Sequence, residues 1–164
     1  LRYLVKSTPS SMHSMWELSR WLDHEPFVLT TVDTIFREQE FATYVRDFQT
    51  LLEQGRGDGL MGVTDYIDDE KPLYVATDDS LRITGFLDSC DNPRYISGGI
   101  YGLTPGSIAT LNRCIERGES RMRNFQRALV SDGLRLQAWP FSKVLDIDHA
   151  SDIQKAEAFL KIED

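Results

Sequence analysis

Strand-like and helix-like segments alternate along this chain, a hairpin interrupts the alternation, and no repeat, low-complexity tract or linker divides it. These observations predict an α/β protein: a three-layer α/β/α sandwich with a mixed, mostly parallel sheet, folded as one domain over residues 1–164. Composition agrees with a packed core. Of 164 residues, 41% are apolar and 27% charged, and a chain of this length buries roughly 70% of its unfolded surface. That excludes a disordered chain, a collagen and a disulfide-built miniprotein.

The elements follow in order. Leu1 to Lys6 reads as a strand already in progress, with no polar lead-in, which suggests that further chain precedes it. Ser7-Thr8-Pro9-Ser10-Ser11 is a turn rich in N-caps, and Met12, Met15, Trp16, Ser19 and Leu22 then keep helical spacing. Phe27 to Val32 is a short β-branched run, read as a buried strand that stops at Asp33. Phe41, Tyr44, Val45, Phe48, Leu51 and Leu52 give the strongest helical period, closed by Gly55. Three extended pieces follow at 60–66, 73–77 and 81–87, the last two joined by an Asp78-Asp79-Ser80 turn. Arg94 to Leu103 is another strand. Thr104-Pro105 opens a helix to about Gly118, a second helix ends near Gly133, and Leu134 to Phe141 alternates as a strand. Val144 to Ile147 is a short strand before a final helix that buries Ile153, Ala156, Phe159 and Leu160.

Acids outnumber bases 26 to 18, for a net charge of −8, and no Lys/Arg run exists. This argues against nucleic acid and against an anionic membrane as partners. The longest uncharged stretch, Tyr95 to Asn112, holds four glycines and a proline and is no membrane helix. Cys90 and Cys114 fit neither a disulfide framework nor a metal pair, and no signal-peptide pattern is present. The expected location is cytoplasmic. Nothing in the charge pattern singles out an oligomer interface.

In α/β sheets of this kind ligands sit beyond the carboxyl ends of the strands, and two acids stand there. Asp33 follows Phe27–Val32, and Asp146 lies inside Val144–Asp148. If the two strands are parallel neighbours, their carboxylates converge on one crevice. Two hard oxygen donors completed by water and phosphates are what Mg²⁺ takes from a protein. The plain alternative is that Asp33 begins a turn and that Asp146 or Asp148 caps the last helix. Gly98-Gly99 is either a place where a ligand meets bare backbone or a β-bulge. His13, His24 and His149 have no ligand spacing, and His149 reads as part of a helix cap. Trp16, Trp21 and Trp139 are read as core, and Arg121 and Arg123 as solvated or salt-bridged.

Four segments together resemble the nucleotidyltransferases that include the sugar-phosphate nucleotidylyltransferases (NDP-sugar pyrophosphorylases) and the molybdopterin-guanylyltransferase-like proteins. Ser7 to Ser14 resembles the family's substrate-side turn. Phe27 to Thr34 resembles the strand ending in its metal-binding Asp. Ile96-Ser97-Gly98-Gly99-Ile100-Tyr101 resembles the strand lining the sugar pocket, and Lys143 to Ile153 the closing segment with a second metal ligand. The resemblance implies a glycosyltransferase-A-like Rossmann fold and transfer of a nucleotidyl group from a nucleoside triphosphate to a sugar phosphate, releasing pyrophosphate. It implies Mg²⁺ held by Asp33 and Asp146, with Asp148 the substitute for Asp146. It places Thr8, Ser97, Gly98, Gly99 and Lys143 on the substrate side.

The chain departs from the pattern in one respect. The family opens with a glycine-rich G-x-G-x-R loop that cradles phosphates, and no such segment is present. Gly55-Arg56-Gly57-Asp58-Gly59 follows a helix and is read as a connection. The resemblance therefore implies the carboxyl two-thirds of the family domain. A non-catalytic module that binds nucleotide sugars, and a glycosyltransferase of the same fold, are the competing expectations.

Overall fold

The structure, a computed structural model, describes residues 1–67, 71–147 and 149–161. The main sheet holds six strands: β1 (Phe27–Thr30), β3 (Gly59–Thr64), β4 (Tyr74–Thr77), β5 (Ile83–Leu87), β6 (Tyr95–Leu103) and β7 (Leu136–Phe141). Its order is β5-β4-β6-β3-β7, with β1 also paired to β6. A separate two-stranded ladder joins β2 (Thr34–Ile35) to β8 (Leu145–Asp146). The helices are α1 (Ser11–Leu18), α2 (Glu38–Glu53), α3 (Gly106–Glu116), α4 (Met122–Ser131) and α5 (Ala150–Leu160).

The sandwich is layered as expected. Alternate residues of β3 point to opposite faces. Met61 and Val63 join the larger core with Met12, Leu111, Phe125 and Leu129 of α1, α3 and α4. Leu60 packs on the other face with Tyr44, Phe48 and Leu51 of α2. A third, smaller cluster seats Ala156 and Phe159 of α5 beside Leu145. Among the described residues no helix is long and apolar enough to cross a membrane.

Strand direction differs from the expectation. The sheet is mixed, but among the described strands only β3–β7 is parallel, and β6 runs against β1, β3 and β4. Hydrophobic pattern marks where strands lie and carries no information on direction, which the connections and the central β6 decide. Residues 1–6 also depart: among the described residues they join no strand, and Leu1, Tyr3 and Val5 are exposed. A strand needs a partner as well as a pattern. The run from Phe27 leaves the sheet at Thr30 and is half-buried rather than buried, and Val32 is fully exposed.

Several local expectations hold. Gly55 ends α2 with φ +62°, and Asp78 closes the β4–β5 turn by accepting the Ser80 and Arg82 N–H groups on its carboxylate. The Gly55–Gly59 segment is a structural joint. Arg135 grips the Asp58 carboxylate with Nε (3.1 Å), Nη2 (3.0 Å) and its backbone N–H (2.8 Å). Trp139 packs edge-on against Tyr44 and Phe141, whereas Trp16 and Trp21 are partly exposed on the surface.

Candidate active site

The segments that carry the two acids pair antiparallel, not as parallel strands. β2 and β8 pair antiparallel, Thr34 opposite Asp146 and Ile35 opposite Leu145. The Ile147 N–H donates to the Asp33 carbonyl at 3.0 Å, and the Thr34 hydroxyl donates to Asp146 Oδ1 at 3.3 Å. A ladder of two residues per strand thus sets the Asp33 backbone against Ile147, the residue after Asp146. The Tyr101 hydroxyl beneath registers both charges. Burial, first, and then the Asp146 and Asp33 carboxylates push its pKa up to about 12, while a hydrogen bond with the Ser97 side chain opposes them.

Asp146 lines a cavity of about 660 Å³. Ser97 and Gly98 of β6 form one wall, His149 and Asp152 at the start of α5 another, and Thr64, Tyr66 and Lys71 a third. Ser97 is held from behind, its hydroxyl donating to Oε1 of the buried Gln126 of α4 at 2.8 Å. His149 is the N-cap of α5. Its N–H donates to Asp152 Oδ2 at 2.9 Å in a capping box, the structural role read from the sequence.

Gly98 and Gly99 form a β-bulge. The β3–β6 register slips between Met61 and Val63, and Gly99 has φ +71°. Along the edge of β6 facing away from β3, β4 pairs with Tyr95 and Ile96 and β1 with Ile100 to Leu103. The bulge falls between the two partners. A methyl at Gly99 would come within 2.8 Å of Thr34 Oγ1, and one at Gly98 within 3.3 Å of Val144. The glycines therefore admit the protein's own β2 and the approach to β8, while Gly98 also faces the cavity.

The other substrate-side residues lie apart from this cavity. Thr8 hydrogen-bonds to Ser10 and Ser14 at the start of α1. Lys143 lines a neighbouring cleft, its ammonium 4.2 Å from the Tyr66 ring centroid and 5.4 Å from that of Phe159. Asp148 lies outside the described residues. Sequence reasoning missed Lys71, Tyr66, Thr64 and Gln126. Lys71-Pro72, a basic residue ahead of a strand, was the only legible signal among them.

Asp33 and Asp146, whose carboxylates both act on Tyr101, are hard oxygen donors of the kind Mg²⁺ takes from a protein when phosphates and water complete its shell. Among the described residues no group of three or more His, Cys, Asp or Glu is placed to hold a metal.

Solved structures share this architecture. A candidate glucose-1-phosphate thymidylyltransferase from Bacillus anthracis, in complex with a sucrose, superposes with a TM-score of 0.79 at 16% identity, covering 99% of this chain and 66% of that one. The inositol-1-phosphate CTP transferase from T. maritima gives 0.72 at 18% identity, over 94% and 63%. A UTP-bound UGPase from Acinetobacter baumannii gives 0.70 at 12% identity, over 90% and 55%. The chain has the nucleotidyltransferase fold. It spans just under two thirds of the length of the first two structures. No protein-family model and no curated protein matches the chain in sequence.

Proposed function

We propose that this chain forms the metal- and acceptor-binding part of a nucleotidyltransferase that moves a nucleotidyl group from a nucleoside triphosphate to a sugar phosphate or similar phosphate, releasing pyrophosphate. The carrying observation is the β2–β8 ladder, which ties the segment of Asp33 to Asp146 on the wall of a polar cavity, within a fold shared with enzymes of that chemistry.

In-line attack of a phosphate oxygen on an α-phosphorus asks a protein chiefly for positioning and for neutralisation of charge. Asp33 and Asp146 would hold Mg²⁺, which when bound offsets the charge developing on the phosphates. Ser97, fixed by Gln126, presents a hydroxyl to the cavity, and Gly98 on the cavity wall carries no side chain to keep an acceptor ring away. Lys71 brings a cation to the same space. Tyr101, kept neutral by burial and by the two carboxylates, stays a hydrogen-bonding group at neutral pH.

The test is Mg²⁺-dependent pyrophosphate release by the intact protein across nucleotides and sugar phosphates. Turnover that Asp33→Ala leaves unchanged sinks the reading. Nucleotide-sugar binding without any turnover replaces it with the binding module, and release of a nucleoside diphosphate replaces it with a glycosyltransferase.

A further inference from the structure

Beside the main cavity, and sharing Tyr66 and Lys155 with it, lies a second cleft of about 530 Å³. It draws three cations from three parts of the chain: Arg37 ahead of α2, Lys143 between β7 and β8, and Lys155 in α5. No acid is among its lining residues. In a chain with eight more acids than bases this is an uneven placement of charge.

Two of the cations share one aromatic ring, and one of them keeps a buried donor unmade. The Arg37 guanidinium lies 5.0 Å from the Phe159 ring centroid, and the Lys143 ammonium 5.4 Å from the same centroid. An aromatic face attracts a cation through its quadrupole, yet Phe159 offers no acceptor for an N–H. Among the described residues neither Arg37 nor Lys143 has an ion-pair partner, and the buried Arg37 Nε has no hydrogen-bond partner. A buried donor left unmade is costly, and two like charges on one ring repel. An oxyanion seated between them relieves the repulsion.

We propose that this cleft is a second anion site, which takes a phosphoryl group between Arg37 and Lys143. The planar guanidinium supplies the directional donors and the ammonium a point charge. Through the wall formed by Tyr66 and Lys155, one ligand can place its body in the main cavity and this phosphoryl group in the cleft. That the ligand is the acceptor substrate rests on the proposed function; the anion site does not.

The experiment is titration of the protein with inorganic phosphate, without nucleotide or metal, following the Arg37 Nε–H resonance and the binding heat. The resonance should move, and Arg37→Gln and Lys143→Met should each weaken binding about tenfold or more, the scale of a charge-assisted hydrogen bond. Lys143→Met keeps the apolar stem against Tyr66 and Phe159, so an unchanged melting temperature separates lost binding from lost folding. Displacement of phosphate by glucose 1-phosphate assigns the group to a sugar-phosphate ligand, and its absence assigns the free ion, the anion site standing in both cases. A stationary Arg37 resonance, or an affinity equal to the parent's in both variants, overturns the site. Phosphate binding without pyrophosphate release would sink the proposed function alone.

Discussion

The β3–β6 and β2–β8 ladders are both antiparallel, and they are built on opposite terms. Every residue of β3 is buried, and β6 pairs with it from Leu103 at one end to Ile96 at the other. Its glycines are packed against neighbours: a methyl on Gly62 would meet Ile100 at 2.9 Å, and one on Gly102 the Tyr44 hydroxyl at 2.8 Å. The β2–β8 ladder is two residues long and carries Asp146 exposed at its end. Burial along its whole length fixes the first ladder, whereas the second rests on a few hydrogen bonds and on Leu145 packed against α5. The comparison separates a frame whose disruption costs stability from a charged ladder whose disruption, on the proposed function, costs chemistry. They touch at Gly99, where Thr34 fills the space a side chain would need.

The sharpest way to break that separation is to neutralise the charged ladder. Asp33→Asn and Asp146→Asn keep side-chain shape and remove one negative charge each from the field that acts on Tyr101. In the intact protein each should lower Mg²⁺-dependent turnover by about 10²–10³-fold, the scale of removing one preorganised electrostatic group. Neither should lower the melting temperature, because the change relieves like-charge repulsion. A variant that loses activity and several degrees of stability together would show that these carboxylates belong to the frame.

The buried ladder answers in the reverse sense. Gly102→Ala drives a methyl against Tyr44 Oη and, at 3.0 Å, against the Phe48 ring. The Tyr44 hydroxyl cannot swing away cheaply, since it is buried and donates to the Leu60 carbonyl at 2.6 Å. Overpacking of this kind costs about 1–3 kcal/mol. Gly85 in β5 is the internal control, with nothing within 4 Å of a new methyl. Chemical denaturation should show Gly102→Ala destabilised in that range, and Gly85→Ala within about 0.5 kcal/mol of the parent. Equal losses at both positions would mean that strand entropy, and not packing, sets the cost.

The two ladders also differ in how far the sequence announces them. Phe41, Tyr44, Val45, Phe48, Leu51 and Leu52 define α2 because one helical face must stay out of water, and the observed helix buries Tyr44, Phe48 and Leu51. The apolar run at 60–64 marks β3 for the same reason. Asp33 and Asp146 were legible as acids at strand ends, but their segments were expected as parallel neighbours and pair as an antiparallel ladder. Which strands pair, and in which direction, is decided by contacts far apart in sequence, such as Thr34 with Asp146. Gln126 behind Ser97 and the Arg37–Phe159–Lys143 group were invisible for that reason. Leu1 to Lys6 shows the converse: an alternating pattern without a partner makes no strand.

The smallest effect tests where the buried ladder meets solvent. Asp58 immediately precedes β3, and its N–H donates to the Arg135 carbonyl at 2.8 Å while its carboxylate takes the Arg135 guanidinium in two places. The Arg135 side-chain hydrogen bonds hold the Asp58 carboxyl below the usual carboxylate range. A group with a depressed folded pKa stabilises the fold above its unfolded value, about pH 4, and loses that contribution as pH falls through the folded value. The unfolded chain binds the proton first, so stability rises with pH across this window. Solvent screens the half-exposed pair, so the expected loss is small. Asp58→Asn should therefore flatten the pH dependence of the melting temperature below about pH 4 and leave turnover at neutral pH untouched. A profile as steep as the parent's would place the acid sensitivity in other carboxylates and leave β3 held by burial alone.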